Sequence, residues 1–216
     1  MKKSVLPLLL IAISFASCKN EETKVETEVK PVDTTTEIAV EEPITIPDSA
    51  TINKAMMDYM TPNEAHMNLA KENGIWDEEL TMWMHAGATP QTSKATAEYK
   101  MILNGMHQEM THKGDFMGMP FEGRGTMSFD NATQEYVSTW VDNMSSGVTN
   151  MRGKLDKETN ILKMEGQSVD PVTKQLKRMK EVITYIDSNN HKLEMYDTGY
   201  DGIEFKTMEI ILKRRK

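Results

Sequence analysis

The chain carries one cysteine, Cys18, in 216 residues. It can close no disulfide within itself, so its fold must stand on packing and hydrogen bonds. It also lacks an apolar run long enough to cross a bilayer. The longest, Val5 to Ser14, covers ten residues, against the roughly 20 that a membrane helix needs. Positive charge is in deficit: 25 Lys and Arg face 33 Asp and Glu, a net of −8. Such a balance argues against nucleic acid as a partner, and the short basic tail Lys213-Arg214-Arg215-Lys216 does not reverse it. Residues 19–50 contain neither an aromatic residue nor a glycine. The G-x-S-x-G elbow, the phosphate loop and the nucleotide-binding glycine pattern are all missing.

What is present starts with export. Lys2 and Lys3 precede the apolar stretch, which ends at Phe15-Ala16-Ser17-Cys18. A short basic region, a ten-residue apolar core and small residues before a cleavage point suit a secretory signal. The last four residues resemble the lipobox of bacterial lipoproteins, in which the cysteine is acylated and becomes the mature N-terminus. The resemblance implies a signal peptide over residues 1–17 and lipid anchoring through Cys18, on the membrane of the cell envelope. Several acyl chains anchor stably where one is marginal, each buried methylene contributing ~0.8 kcal/mol. Residues 19–50 hold nine acidic and three basic residues, too polar to bury a core, and read as a disordered tether with a reach on the order of 30 Å. Asp33-Thr34-Thr35 and Asp48-Ser49-Ala50 in it resemble the O-glycosylation motif of Bacteroidetes periplasmic proteins. The folded domain is expected over residues 51–216.

Within that domain Thr61-Pro62-Asn63-Glu64 reads as a helix start, and Gly74 as its stop. Beyond Gly74 there is no helical period. Short alternating runs follow, broken by turn clusters such as Leu103-Asn104-Gly105, Asp130-Asn131 and Ser188-Asn189-Asn190. The runs predict strands over approximately 75–84, 95–103, 106–113, 121–129, 135–142, 148–155, 161–168, 175–186, 191–196 and 203–214. The expected fold is all-β, an antiparallel up-and-down barrel of about ten strands after a short helix, because closure removes the sheet edges.

Gly74-Ile75-Trp76 in the first strand resembles the Gly-x-Trp signature of calycins, where the tryptophan plugs the closed end of the barrel under an arginine from the last strand. That resemblance assigns barrel closure to Gly74, Trp76 and Arg214. Met117 to Gly123, Phe129-Asp130-Asn131 and Thr139-Trp140-Val141-Asp142-Asn143-Met144-Ser145-Ser146-Gly147 resemble the bacterial family called domain of unknown function 1579 over roughly residues 63–214. Glu78 and Leu212 depart from its pattern, which commonly has glycine and tyrosine there. The resemblance implies a calycin-like barrel and leaves its activity open.

Candidate site residues gather at the hairpin 121–142. One register would put Phe121, Met127, Phe129, Val137 and Val141 on one face and Glu122, Arg124, Ser128, Tyr136, Ser138, Trp140 and Asp142 on the other; a one-residue slip would instead lay Trp140 against the glycines. The first separates apolar from polar and is favoured. Its polar face looks outward as ordinary surface or lines a lumen, with Glu122, Arg124, Tyr136, Trp140 and Asp142 as the binding set. His66, His85, His107, His112 and His191 show no zinc spacing and read as scattered and solvated, with His107 and His112 on opposite faces of one strand. Met82, Met84, Met117 and Met119 suit core filling better than Cu(I). No catalytic residue, metal or cofactor is expected. The function expected is a lipid-anchored barrel holding a small apolar or amphipathic ligand. A packed interaction lipoprotein is the alternative, and an enzyme using the Trp140 face the third choice.

Overall fold

A computed structural model describes residues 45–216. The expected signal peptide, Cys18 and nearly all of the tether lie outside the described residues. Among the described residues the first element is a helix that the patterning above does not anticipate, α1 (Ser49–Tyr59), whose N-cap Asp48 accepts from the Thr51 backbone N–H at 2.9 Å. It buries no residue, which is why hydrophobic periodicity gives no sign of it. The expected helix follows as α2 (Glu64–Ala70). Asn63 caps it, and the ring of His66 at the third helical position accepts the Asn63 backbone N–H at 3.1 Å, taking the part a glutamate usually plays. Asn131 ties both helices to the barrel: its amide donates to the carbonyls of Asp58 and Thr61, and its oxygen accepts from Asn63.

Ten antiparallel strands then run in sequence: β1 (Gly74–Met82), β2 (Gln91–Ile102), β3 (His107–Phe116), β4 (Met119–Asp130), β5 (Glu135–Asp142), β6 (Thr149–Asp156), β7 (Ile161–Val169), β8 (Leu176–Asp187), β9 (Asn190–Thr198) and β10 (Glu204–Arg214). Each pairs with its neighbour in the chain, and β1 pairs with β10 to close the barrel. All ten expected strands are present, with ends displaced by up to four residues. Met119-Pro120, which the expected strand ends at 113 and 121 leave between strands, instead begins β4, because the turn uses Met117 and Gly118 at positive φ.

Alternation decides inside from outside. Asp77, Glu79, Lys94, Glu98 and Lys100 are exposed on the outer wall, while Trp76, Glu78, Ala97 and Tyr99 are buried. A charged exterior around an apolar interior is the reverse of a membrane-spanning barrel. The core lies at the end where β1 begins. There Leu69 of α2 packs with Met127, Tyr136, Leu162, Met164 and Ile183, beside a second cluster of Trp76, Ala97, Tyr99, Ile210 and Leu212. The amide of Gln108 donates to the Leu69 carbonyl at 2.8 Å, fastening α2 across that end.

The same end is sealed by a tryptophan and an arginine. Trp76 is fully buried, and the guanidinium carbon of Arg214 sits 4.2 Å from its ring centre. Arg214 donates to the carbonyls of Lys71, Asn73 and Ser188, joining the segment after α2 to the β8–β9 turn. Gly74 adopts φ +130°, and a Cβ there would stand 3.3 Å from the guanidinium. Glycine therefore meets both a backbone and a space requirement at the barrel's entry.

Candidate functional site: the barrel lumen

The hairpin of β4 and β5 takes the register that the sequence reading disfavours. Gly125 pairs with Trp140, Gly123 with Asp142, Met127 with Ser138 and Phe129 with Tyr136, and this whole set faces inward. The physical reason is space. A Cβ on Gly123 would stand 2.2 Å from the Trp140 ring, and one on Gly125 3.0 Å from it. The indole lies over bare backbone, and the two glycines exist to make room for it. Separating apolar from polar side chains was the wrong criterion, since this tryptophan needs a wall without side chains more than it needs apolar company.

The expected binding set therefore divides. Tyr136, Trp140 and Asp142 share the inner face, Tyr136 buried at the closed end and the other two toward the opposite rim. Glu122 and Arg124 point outward. Their ion pair, 3.1 Å between Arg124 Nη2 and Glu122 Oε1, joins side chains that are 62% and 45% exposed for Arg124 and Glu122. A solvated pair of that kind is surface chemistry.

Trp140 is fixed from several sides. Its Nε1–H donates to Asp142 Oδ2 at 2.9 Å, the Phe121 ring stacks at 6.5 Å between centroids, and the His112 ring meets it edge-on at 5.0 Å. Asp142 Oδ1 accepts the Met144 backbone N–H, so both of its oxygens are engaged. Next to it Asn143 clamps the start of β4, accepting the Glu122 N–H and donating to the Pro120 carbonyl.

These residues border a cavity of about 360 Å³, within the range of small-molecule sites. It extends from Glu72, Gln108 and His191 beside the sealed end to Asp115, Phe121 and Met144 at the far rim. Methionine supplies much of its surface, including Met82, Met110, Met179, Met195 and Met208. Flexible, polarizable side chains of this kind line irregular apolar space well. Met84 and Met117, by contrast, are exposed and share no site with Met82.

Among the polar lumen residues that escaped the sequence reading are Glu72, Glu78, His112, Glu181 and His191. His112 and His191 are buried, as is His66 of α2, so the expectation of solvated histidines fails for three of the five. His107, as expected, faces away from His112; it hydrogen-bonds Ser128 at 2.6 Å. His112 Nδ1 lies 3.1 Å from Glu78 Oε2 and 3.0 Å from Oε1. Only the contact with Oε2 has hydrogen-bond geometry, which leaves Oε1 buried without a hydrogen bond.

The surface that Glu72 and Glu181 retain faces the cavity, so burial still dominates both. It pushes Glu181 up to about 7, with His112 opposing, and Glu72 up to about 8, opposed by Arg214 and Gln108. Burial, reinforced by Arg214, holds His191 down at about 4. Tyr136 is raised to about 12 by burial, and Tyr99 and Tyr185 well above the ordinary value. No group of three His, Cys, Asp or Glu among the described residues could hold a metal ion.

Comparison with known proteins settles the family. The model of a protein of unknown function, DUF1579, matches residues 61–214. The chain belongs to the DUF1579 family. No curated protein matches it. Among solved structures it resembles Rv2717c from M. tuberculosis, with a TM-score of 0.53 and 11% identity over 72% of this chain and 100% of that one; at that identity the likeness is one of fold.

Within DUF1579 terms, the Thr-Trp-Val-Asp-Asn-Met-Ser-Ser-Gly run is a rim device. Trp140 covers the glycines, Asp142 holds the indole and the turn, and Asn143 binds two strands together. Glu78, one of the two departures from the family pattern, stands inside the lumen facing His112. A signal for the missed residues did exist. Glu78 interrupts the Trp76-Leu80-Met82 alternation, and Glu181 interrupts Met179-Ile183-Tyr185. An acid on an otherwise apolar strand face marks a polar feature in a lumen.

Proposed function

We propose that this DUF1579 protein is a lipid-anchored lipoprotein of the bacterial cell envelope whose barrel holds a small apolar or amphipathic ligand without transforming it. The cavity carries this reading: about 360 Å³ of methionine- and aromatic-lined space, plugged at one end and reaching the rim at the other. A barrel serving only as a scaffold gains nothing from such a void, because unfilled core volume costs stability at about 24 cal/mol per Å³. The Phe15-Ala16-Ser17-Cys18 sequence supports anchoring, and the acidic stretch between Cys18 and α1 is long enough to hold the barrel clear of the bilayer. As for the third choice, Glu122 and Arg124 lie outside the barrel and Asp142 has both oxygens occupied, so the polar residues around Trp140 do not converge on one site.

Native mass spectrometry of protein taken from its own cell envelope tests both halves. The expected result is an acylated Cys18 and a noncovalent small molecule that leaves on unfolding. A barrel that is always empty, and that takes up no apolar probe, would overturn the binding half; an unmodified Cys18 would overturn the anchoring half.

A further inference from the structure

We propose that the lumen selects an amphipathic cation: an amine whose hydrocarbon body fills the methionine-lined space and whose ammonium group is held by Glu181, with Glu78 Oε1 beside His112 as a further acceptor. The inference rests on the ligand-binding reading above and adds the sign of the ligand's charge.

The sign comes from what lines the cavity. Glu72, Glu78, Asp115, Asp142 and Glu181 contribute carboxylates, and among the described residues no lysine or arginine side chain borders it. Arg214 stands close by at the sealed end, but its guanidinium is committed to backbone carbonyls and to the Trp76 face. His191 is held neutral by burial and by Arg214. His112 is hydrogen-bonded to Glu78 Oε2.

Availability then separates the carboxylates. Asp142 is saturated by Trp140 and Met144, and Asp115 accepts the Gly118 N–H at the rim. Glu72 lies next to Arg214 and Gln108. Glu181 accepts no hydrogen bond among the described residues. Glu78 is only 2% exposed, yet its Oε1, 3.0 Å from His112 Nδ1, has no hydrogen bond among the described residues. A buried carboxylate without a partner is costly, and burial accordingly drives Glu181 toward its neutral form. An ammonium group entering from the rim would supply the missing donor and charge. The faces of Tyr99, Tyr185 and Trp140, which border the same space, attract a cation as well. A fatty-acid carboxylate would meet like charge and, among the described residues, no lysine or arginine to receive it.

The test uses the full chain and three probes of one chain length: decylamine, decanol and decanoate. Binding is measured in mildly alkaline buffer, above the points at which Glu181 and Glu72 ionise. Decylamine should bind at least about tenfold more tightly than decanol, with decanoate weakest. In Glu181→Gln, checked for folding by its melting curve, the amine and alcohol affinities should converge. Decanol or decanoate binding as tightly as decylamine would overturn the inference and leave the ligand-binding reading standing. So would an amine preference that survives Glu181→Gln. If none of the three binds, the ligand-binding reading fails and this inference fails with it.

Discussion

Trp76 shows how much one side chain can carry in this barrel. It is fully buried, packs against Tyr99 and His191, and donates its indole N–H to the Glu72 carbonyl at 2.9 Å. Trp76→Ala should cost roughly 3–5 kcal/mol and lower the melting temperature on the order of 10 °C in a domain of this size. An unchanged melt would contradict the closure of the barrel at that end. Glycine acts at the same scale with no side chain at all. A Cβ at Gly153 would stand 1.8 Å from the Lys163 carbonyl oxygen, so Gly153→Ala must push β6 and β7 apart. That should cost about 1–3 kcal/mol, readable by thermal denaturation. An alanine variant of wild-type stability would mean the strands are not packed as described. Trp76 was legible because its position follows a recognisable signature, whereas Gly153 was not, since nothing local shows how closely the backbone of the neighbouring β7 approaches it.

Elements were read well and their faces less well. Ten runs of alternating residues mark ten strands because a half-buried strand must alternate, and the turn residues between them fix the boundaries to within a few positions. Alternation cannot say which of its two faces is inside, and at β4–β5 that choice depended on fitting Trp140 over Gly123 and Gly125. The outcome gives a sharp contrast between neighbours. Arg124→Ala should leave stability within about ±0.5 kcal/mol, as for other exposed positions. Gly123→Ala should displace the indole and change its fluorescence spectrum, and equal spectra for these two variants would contradict the register. α1 was illegible for a different reason: it buries nothing, and its attachment rests on the side chain of Asn131. A chain shortened to remove α1 should melt within about 2 °C of the full chain; a larger loss would give the helix a role in holding the barrel together.

At the scale of the molecule the lumen makes stability depend on pH. Glu72 and Glu181 titrate near 8 and 7 in the folded chain, against 4.5 in an ordinary glutamate. Between those values the folded protein holds protons that the unfolded chain has released, so stability falls as pH rises. His191, near 4 when folded against an ordinary 6.5, works the other way, but only below 6.5. From pH 6.5 to 8 the carboxylates stand alone, and the melting temperature should decline; Glu72→Gln with Glu181→Gln should flatten the decline. A melting temperature that climbs across this window would contradict the burial assigned to them. None of this coupling was visible in the chain order, because Glu72, Glu78, His112, Glu181 and His191 meet only once the barrel closes.

The central claim is that the cavity is a chamber for one ligand, and filling it is the most direct test. Met195 borders the lumen, so Met195→Trp places a larger side chain where a ligand would lie. Titration with the neutral apolar fluorophore N-phenylnaphthylamine should saturate at one molecule per native chain. It should give no saturable binding to a Met195→Trp variant that still melts cooperatively. Equal binding to both proteins would place the probe on the outside of the barrel and contradict the account.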